Sequence, residues 1–362
     1  MTDEARAWAA AGLYDPSAPD AEDQLELLRY LRERGAGLDD LRRAKADGRL
    51  VGLAGDLTRR AAPRLRLAEI AREAGVDERV VVAVSRAAGL PAYDDAAPVF
   101  RPEDAEVFRI AAQAMAVFGE EPMLEFSRTL GAALSAVADA AMAMFGIEIA
   151  GRFDERGVTQ VARAAAAEAA TVALTEQVPA VMRSLLFHHV EAALGRGTGT
   201  HTLPLAVGFV DLVRSTALVQ ELAPDEVASV IGTFERLAME VVVAHGGRVV
   251  KTIGDEVMFV VPDVVEACDA ALAFRGAVAA EERLPAVRGG LASGDLVRGY
   301  GDFYGPDVTL AARIVKLASP GALLVTEEVR AAADRAFRFE PAGEHLVRGF
   351  AEPVALFLLE RG

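Results

Sequence analysis

The chain has 362 residues, of which 52% are hydrophobic and 25% are charged, so it is long enough for two domains that each bury a core. Its formal net charge of −16 opposes binding to nucleic acids and anionic membranes, which are polyanions, and predicts no nucleic-acid partner. The single cysteine, Cys268, excludes internal disulfides and cysteine-rich metal sites and predicts a cytoplasmic protein.

Neither the first residues nor the most apolar stretch has the pattern of a membrane or export segment. The start, MTDEARAWAA, is acidic and lacks the basic residues and long apolar run of a signal peptide. The most apolar helical run, TLGAALSAVADAAMAMFGIEIA, is interrupted by Asp139 and Gly146. Because a membrane-spanning helix needs about 20 mostly apolar residues in succession, the sequence predicts no membrane span.

The first half of the chain has a helical pattern from Asp20 to about Glu191, with apolar residues at three- and four-residue spacing and much alanine. Prolines and glycines divide this pattern into roughly eight to ten predicted short helices. The dividing residues are Pro63, Gly75, Gly89, Pro91, Pro98, Pro102, Pro122, Gly146 and Gly157. An all-helical N-terminal domain is therefore predicted.

One segment of this half, LAEIAREAGVDERVVVAVSRAAGLP, also has the pattern of a helix-turn-helix centred on Gly75 and Val76. A DNA-binding regulator is therefore a rival hypothesis. The second helix carries only Arg79 and Arg86 as basic residues and is otherwise mostly apolar. That composition favours a helix buried in a bundle.

Two adjacent histidines, His188 and His189, lie near the end of the last helix of this half. The unperturbed pKa of histidine, about 6.5, lies in the physiological range. We hypothesise that protonation of His188 and His189 moves the linker that follows. The alternative is that both are ordinary residues at a helix end.

The stretch GRGTGTHTLP, from Gly195, breaks the helical pattern and predicts a domain boundary. The predicted domains are a helical one at 1–191, a linker at 192–203 and a second domain at 204–362. The second domain has strand-like stretches, LAVGFV, GRVVKTI, EVMFVV, AVRGGLAS and ALLVT, which are separated by amphipathic helical ones. Their order predicts a ferredoxin-like α+β sheet with helices on one face.

Two carboxylates stand at predicted strand ends in this domain. Asp211 follows LAVGFV, where Ser215 or Thr216 can cap the next helix, and an isolated Asp211 also fits a simple turn cap. Asp255 lies at the bend of KTIGDEVMFV. If the strands are neighbours, the two carboxylates converge and repel each other unless a cation lies between them. Ligation by oxygen alone predicts Mg²⁺ or Mn²⁺.

Four separated blocks of this half, in order and with suitable spacing, resemble the signature blocks of class III nucleotidyl cyclases. The blocks are FVDLVRST, GGRVVKTIGDEVMFVV, GDLVRGYGDFYGPDVTLAARI and HLVRGFAEPVALFLLE. The resemblance extends from Leu203 to Glu360. It implies an adenylate cyclase, a phosphorus-oxygen lyase that converts ATP to cyclic AMP and pyrophosphate.

The resemblance implies that two divalent ions, Mg²⁺ or Mn²⁺, are held by Asp211, Asp255 and the backbone carbonyl of Leu212. In the family, these ligands and the base-reading residues come from different subunits. The resemblance therefore also implies a homodimer with shared active sites. Glu256, next to Asp255, is predicted only to shape the turn.

The resemblance further implies that Lys251 and Asp302 read adenine, and that Arg313 stabilises charge on the α-phosphate. Two positions depart from the pattern. Thr309 stands where active members usually have an asparagine that orients the ribose, and this predicts a reduced or re-tuned activity. The link from Gly299 to Asp302 is shorter than in many members, and compact links of this kind occur in bacterial adenylate cyclases.

The helical half is similar to the regulatory domain of acid-responsive mycobacterial adenylate cyclases. The segments that carry the similarity are LAEIAREAGVDERVVVAVSRAAGLP and FRPEDAEVFRIAAQAMAVFG. Regulation by this half, and a pH response, are implied. Whether it holds a lipid or small-molecule effector is left open. Two other hypotheses stay open: a silent cyclase-fold module that only binds nucleotide, and a diguanylate cyclase, in which Asp302, Thr309 and Arg313 would have no role.

Overall fold

The computed structural model describes residues 2–60, 63–94, 96–153, 158–195, 202–213, 220 and 222–361. The chain divides into two units, Met1–Arg196 and Gly197–Gly362. The predicted linker at 192–203 lies partly outside the described residues, so its bounds stay a prediction. Ser215 and Thr216, predicted as helix caps, also lie outside them.

The described part of the first unit is helical, as predicted. Its α-helices are α1 (Asp3–Ala10), α2 (Ala21–Glu33), α3 (Leu38–Ala46), α4 (Leu53–Arg60), α5 (Leu67–Ala74), α6 (Glu78–Ala87), α7 (Asp104–Phe118), α8 (Glu120–Phe153), α9 (Gln160–Val172) and α10 (Val178–Gly195). A π-helical turn, Ala173–Gln177, joins α9 to α10. In the described residues, none of the helices is both long enough and apolar enough to span a membrane.

The prediction that Gly146 ends a helix is wrong, because α8 runs through it for 34 residues. A glycine inside a helix costs only about 1 kcal/mol relative to alanine, and the surrounding segment is rich in strong helix formers. No proline follows Gly146 to enforce a stop. Gly157, another predicted break, lies outside the described residues.

Two apolar clusters stabilise the first unit. One joins α1 to α4 with α9 and includes Trp8 and Leu31. The other joins α5, α6 and α7, and α6 contributes Val81 and Val84 to it. The helix that could have read DNA therefore buries its apolar face inside this unit.

The second unit is built on one mixed sheet, and the predicted α+β class is confirmed. Its strands are β1 (Thr202–Leu212), β2 (Arg248–Ile253), β3 (Glu256–Val261), β4 (Val287–Gly299), β5 (Asp302–Tyr304), β6 (Leu323–Thr326), β7 (Phe337–His345) and β8 (Val354–Arg361). They lie in the order β2-β3-β1-β4-β6-β8-β7, and β5 pairs with β4. The pairing of β4 with β6 is parallel, and the other pairs are antiparallel. The helices are α11 (Pro224–Ala244), α12 (Val264–Ala279), α13 (Pro306–Ile314) and α14 (Glu327–Ala333).

The helices of this unit cover both faces of the sheet. Helices α11, α12 and α14 share one core, in which Phe234 and Phe274 stack with ring centroids 5.2 Å apart. Helix α13 packs on the opposite face, so the prediction of helices on one face is wrong for α13. Gly290 of β4 explains this packing. A Cβ there would lie 2.6 Å from Val315 N and 2.7 Å from Ala311 O, so only glycine lets the helix approach so closely.

The single cysteine belongs to the core of this unit. Cys268 is buried on α12 and forms no disulfide. Burial, together with the nearby charges of Asp269 and Asp263, raises the pKa of its thiol to about 12. The thiol is therefore uncharged at neutral pH and packs as a small apolar side chain.

Candidate active site

The end of β1 and the β2–β3 hairpin bring Asp211 and Asp255 to the same edge of the sheet. Asp211 pairs in register with Glu256, the first residue of β3. The next amide along β1, that of Leu212, donates to the carbonyl oxygen of Asp255 at 3.0 Å. Gly254 permits the tight turn before Asp255, because its φ of 65° is unfavourable for other residues. The expected convergence of the two strand ends is therefore present.

Two basic side chains, neither of them predicted, neutralise Asp211. The Asp211 side chain is only 4% exposed. Arg288 donates to its Oδ2 from Nε at 2.9 Å and from Nη2 at 2.6 Å, and Lys316 Nζ lies 3.2 Å from the same oxygen. A buried carboxylate is costly unless it is paired, and these contacts supply the pairing.

Lys316 also forms a salt bridge with Glu256, which was predicted only to shape the turn. Burial alone would lower the pKa of the Lys316 ammonium. The hydrogen bonds and negative charges of Glu256 and Asp211 outweigh that effect, so the pKa is raised. Lys316 is therefore a firmly charged bridge between two carboxylates, and Glu256 is one of its partners.

The residues at this edge fit a divalent cation by their chemistry. Among the described residues, no group of three or more His, Cys, Asp or Glu side chains is arranged to hold a metal. The predicted set, Asp211, Asp255 and the carbonyl of Leu212, uses two carboxylates and one main-chain oxygen instead. Oxygen donors of this kind suit Mg²⁺ and Mn²⁺, which keep several waters and take further ligands from phosphates.

The two predicted base-reading residues, Lys251 and Asp302, form a salt bridge with each other. Lys251 lies on the edge strand β2, and Asp302 begins β5. Asp302 is also fixed by the amide of Phe303, which donates to its Oδ1 at 2.8 Å. Both side chains stay partly exposed, so a ligand can reach this opposite-charge pair.

The compact link before Asp302 is a two-residue hairpin turn. Gly299 pairs with Asp302, and the turn residues Tyr300 and Gly301 have φ values of 46° and 87°. Positive φ at both central positions is typical of a type I′ turn, which matches the twist of the flanking strands. The turn places Asp302 directly at the start of the strand.

Thr309 and Arg313 lie four residues apart on α13 and share one side of it. The Thr309 hydroxyl donates to the carbonyl of Gly305 at 3.2 Å, within its own helix. The Arg313 guanidinium lies against Gly349, where an added Cβ would come within 3.4 Å of Cζ. Any side chain at position 349 would therefore displace the guanidinium.

His188, His189 and His245 lie away from these side chains in the sequence, on or beside other helices. His188 and His189 are exposed on α10, and His188 Nδ1 lies 3.6 Å from Glu191 Oε2. His245 follows the last residue of α11 and contacts Glu266 at 3.0 Å. His245 therefore lies at the C-terminal end of α11.

Both units match known families. Residues 200–361 match the model of the adenylate and guanylate cyclase catalytic domain. Residues 10–194 match that of the adenylate cyclase regulatory domain. The chain therefore belongs to the family of adenylate cyclases in which this regulatory domain precedes the catalytic domain. The predicted enzyme class, a phosphorus-oxygen lyase, is confirmed at the level of the family.

The relatives extend this similarity over nearly the whole chain. An uncharacterized protein of Mycobacterium tuberculosis is 31% identical over 335 residues, which are 89% of this chain and 85% of the relative. A pH-sensitive adenylate cyclase of Mycobacterium tuberculosis is 30% identical over 364 residues, with 94% and 88% covered. Among solved structures, the adenylyl cyclase CyaB of P. aeruginosa is 21% identical with a TM-score of 0.42, and the match covers 44% of this chain and 95% of CyaB.

Proposed function

We propose that the protein converts ATP to 3′,5′-cyclic AMP and pyrophosphate, in active sites shared by the two subunits of a homodimer. The observation that carries this proposal is the Lys251–Asp302 pair. An ammonium donates to a ring nitrogen, and a carboxylate accepts from an exocyclic amine. Adenine offers this acceptor and donor on its Watson–Crick edge, whereas guanine offers the reverse, so the pair favours ATP over GTP.

Asp211, Asp255 and the Leu212 carbonyl are proposed to hold two divalent ions, Mg²⁺ or Mn²⁺. When bound, such ions lower the pKa of an attacking hydroxyl and neutralise charge on the triphosphate. The near-complete burial of Asp211 supports this assignment, because its carboxylate is held in one orientation by Arg288. A fixed carboxylate loses little conformational freedom when it binds a ligand.

The proposed reaction is an in-line displacement. The ribose 3′-hydroxyl attacks the α-phosphorus, and the bond from that phosphorus to the pyrophosphate oxygen breaks. Arg313 is positioned by α13 and by the Gly349 backbone to neutralise the charge that develops on the α-phosphate. Thr309, one turn earlier, is proposed to contact the ribose, for which its hydroxyl must leave the Gly305 carbonyl.

Thr309→Asn is expected to raise kcat by roughly ten- to a hundredfold, because the longer amide reaches the ribose without competing for its own helix carbonyl. Steady-state cyclic AMP formation measures this change. Thr309→Val is the matched control, since it keeps the β-branched shape and removes the hydroxyl, and it is expected to be slower than wild type. An unchanged kcat in Thr309→Asn would show that threonine is an adequate substitute.

The homodimer is proposed because the resemblance to class III cyclases assigns the two groups of site residues to different subunits. Asp211 and Asp255 belong to the β1 and β2–β3 strand ends, whereas Lys251 and Asp302 form their own pair. In a twofold dimer, the same pair of surfaces can meet twice and build two equivalent sites.

We also propose that the helical unit regulates the reaction and responds to pH. One relative is named a pH-sensitive adenylate cyclase. His188 and His189 on α10 are candidate sensors, and Glu191 is close enough to pair with a protonated His188. Both side chains are exposed on α10. An effector that binds this unit is left open.

Replacing both His188 and His189 with glutamine is expected to flatten the pH–activity profile of the full-length protein. His245→Gln is the control, because His245 lies on the catalytic unit and ends α11. Its profile should keep the wild-type shape. If the double variant keeps that shape as well, His188 and His189 are not the sensors.

The direct test of the proposed function is an assay of the purified chain with ATP or GTP and with Mg²⁺ or Mn²⁺, from mildly acidic to mildly basic pH. Chromatography with mass detection identifies the cyclic product. Cyclic AMP from ATP, with much less cyclic GMP from GTP, supports the proposal. Binding of ATP with no product would instead favour the silent nucleotide-binding module, to which the internal hydrogen bond of Thr309 points.

A further inference from the structure

Asp211 pairs with two basic side chains, Arg288 and Lys316, which differ in exposure and in flexibility. Arg288 lies directly opposite Asp211 in the β1–β4 register, and its side chain is 28% exposed. Its Nε and Nη2 both donate to one oxygen, Oδ2, and its Nη1 donates to the main-chain carbonyl of Lys316 at 3.4 Å. Arg288 therefore acts as a fixed structural partner, and its loss would leave a buried carboxylate without its main hydrogen bonds.

Lys316 is a more mobile partner of the same oxygen. It lies in the turn that follows α13, and its side chain is 51% exposed. A lysine has a flexible stem and a single ammonium, so it exchanges partners at low cost compared with an arginine fork. Glu256, which already bonds to Lys316, offers an alternative anchor.

We propose that Lys316 sets the divalent-cation affinity of the catalytic unit. Its ammonium neutralises Asp211 until a metal ion displaces it toward Glu256, so Lys316 is a positioning residue that competes with the metal. This inference rests on the proposed function, because it assumes that Asp211 is a metal ligand. It assigns a role to Glu256 as well, as the residue that keeps the displaced ammonium nearby.

The charge balance supports this competition. The carboxylates of Asp211 and Glu256 stand against the cations of Arg288 and Lys316, so the formal charges of this ion-pair group balance. Removing Lys316 leaves the group with one net negative charge. A divalent ion is attracted more strongly to that site and no longer has to displace an ammonium from Oδ2. Solvent screens part of the effect, because half of the lysine side chain is exposed.

The test is a titration of the full-length protein with Mn²⁺ alone, without nucleotide, followed by isothermal calorimetry or by the electron paramagnetic resonance signal of free Mn²⁺. Lys316→Met is expected to bind Mn²⁺ roughly five- to thirtyfold more tightly than wild type. Lys316→Arg keeps the charge and is expected to stay within about twofold of wild type. Lys316→Gln gives a second neutral side chain if the methionine variant folds poorly.

Arg338→Met is the matched control, since it removes one positive charge from an exposed ion pair with Glu340 in the same unit. It is expected to bind Mn²⁺ as wild type does. Asp211→Asn distinguishes the proposed metal role of Asp211 from the proposed competition by Lys316. If it weakens Mn²⁺ binding while neutral Lys316 variants bind no more tightly than wild type, this inference is overturned and the metal site stands. If Asp211→Asn leaves Mn²⁺ binding unchanged, Asp211 is not a metal ligand, and the proposed role of Lys316 is wrong as well.

Discussion

A heterodimer of one Asp211→Asn chain and one Arg313→Ala chain is expected to show about half of the wild-type activity per dimer, although each variant is nearly inactive as a homodimer. In the shared-site arrangement, one site of the heterodimer combines both defects and the other combines neither. Loss of Arg313 should cost a thousandfold or more, because arginines that neutralise a transferring phosphoryl group contribute about that much. Co-expressing the chains with different affinity tags and purifying through both isolates the heterodimer.

Pairs of variants from the same side of the site provide the control. Asp211→Asn with Asp255→Asn should show no recovery, since both replace proposed metal ligands of one subunit. Arg313→Ala with Lys251→Ala should also stay inactive. Lys316, three residues after Arg313, contacts Asp211 of its own chain. The alternative arrangement is therefore an active site built within one chain. An active site within one chain predicts no recovery of activity in the purified heterodimer of an Asp211→Asn chain and an Arg313→Ala chain.

Lys251→Glu combined with Asp302→Ser is expected to lower kcat/KM for ATP by at least about a hundredfold and to reverse the preference toward GTP. Glutamate accepts from the protonated ring nitrogen of guanine, and a serine hydroxyl donates to its exocyclic oxygen. The replaced salt bridge is partly exposed at the sheet edge, so its loss should affect folding little. Steady-state kinetics with both nucleotides measure the ratio.

Lys251→Met is the control for this change, because it removes the donor without adding an acceptor. It should lose activity with ATP and gain none with GTP. An unchanged ratio of ATP to GTP activity in the folded double variant would mean that other residues read the base, and the proposed roles of Lys251 and Asp302 would be wrong.

Local patterns in the sequence were enough to predict most elements near the site. The bend of KTIGDEVMFV was predicted from the sequence, and Gly254 has the positive φ that this turn requires locally. Pro306 stands at the first position of α13, where its fixed φ suits the start of a helix. The break predicted at Gly146 failed, since one glycine cannot end a helix whose neighbours favour it.

Carboxylates at predicted strand ends nominated Asp211 and Asp255, and the resemblance to class III cyclases nominated Lys251, Asp302 and Arg313. The roles of all five stay proposals. Neither signal could nominate Arg288 or Lys316. These residues are far from Asp211 in the sequence, and their contact depends on the β1–β4 register and on the turn after α13. A cross-strand partner is visible only once the strand order is known.

The sequence alone predicted most of the helices and strands and the motif residues at strand ends, because these properties depend on neighbours a few positions away. The face covered by α13 and the cations that neutralise Asp211 became apparent only in the folded chain. Both depend on non-local packing, such as the approach of the α13 backbone to Gly290, which no local pattern encodes. The same packing brings Lys316 to Glu256, which the sequence predicted only to shape the turn.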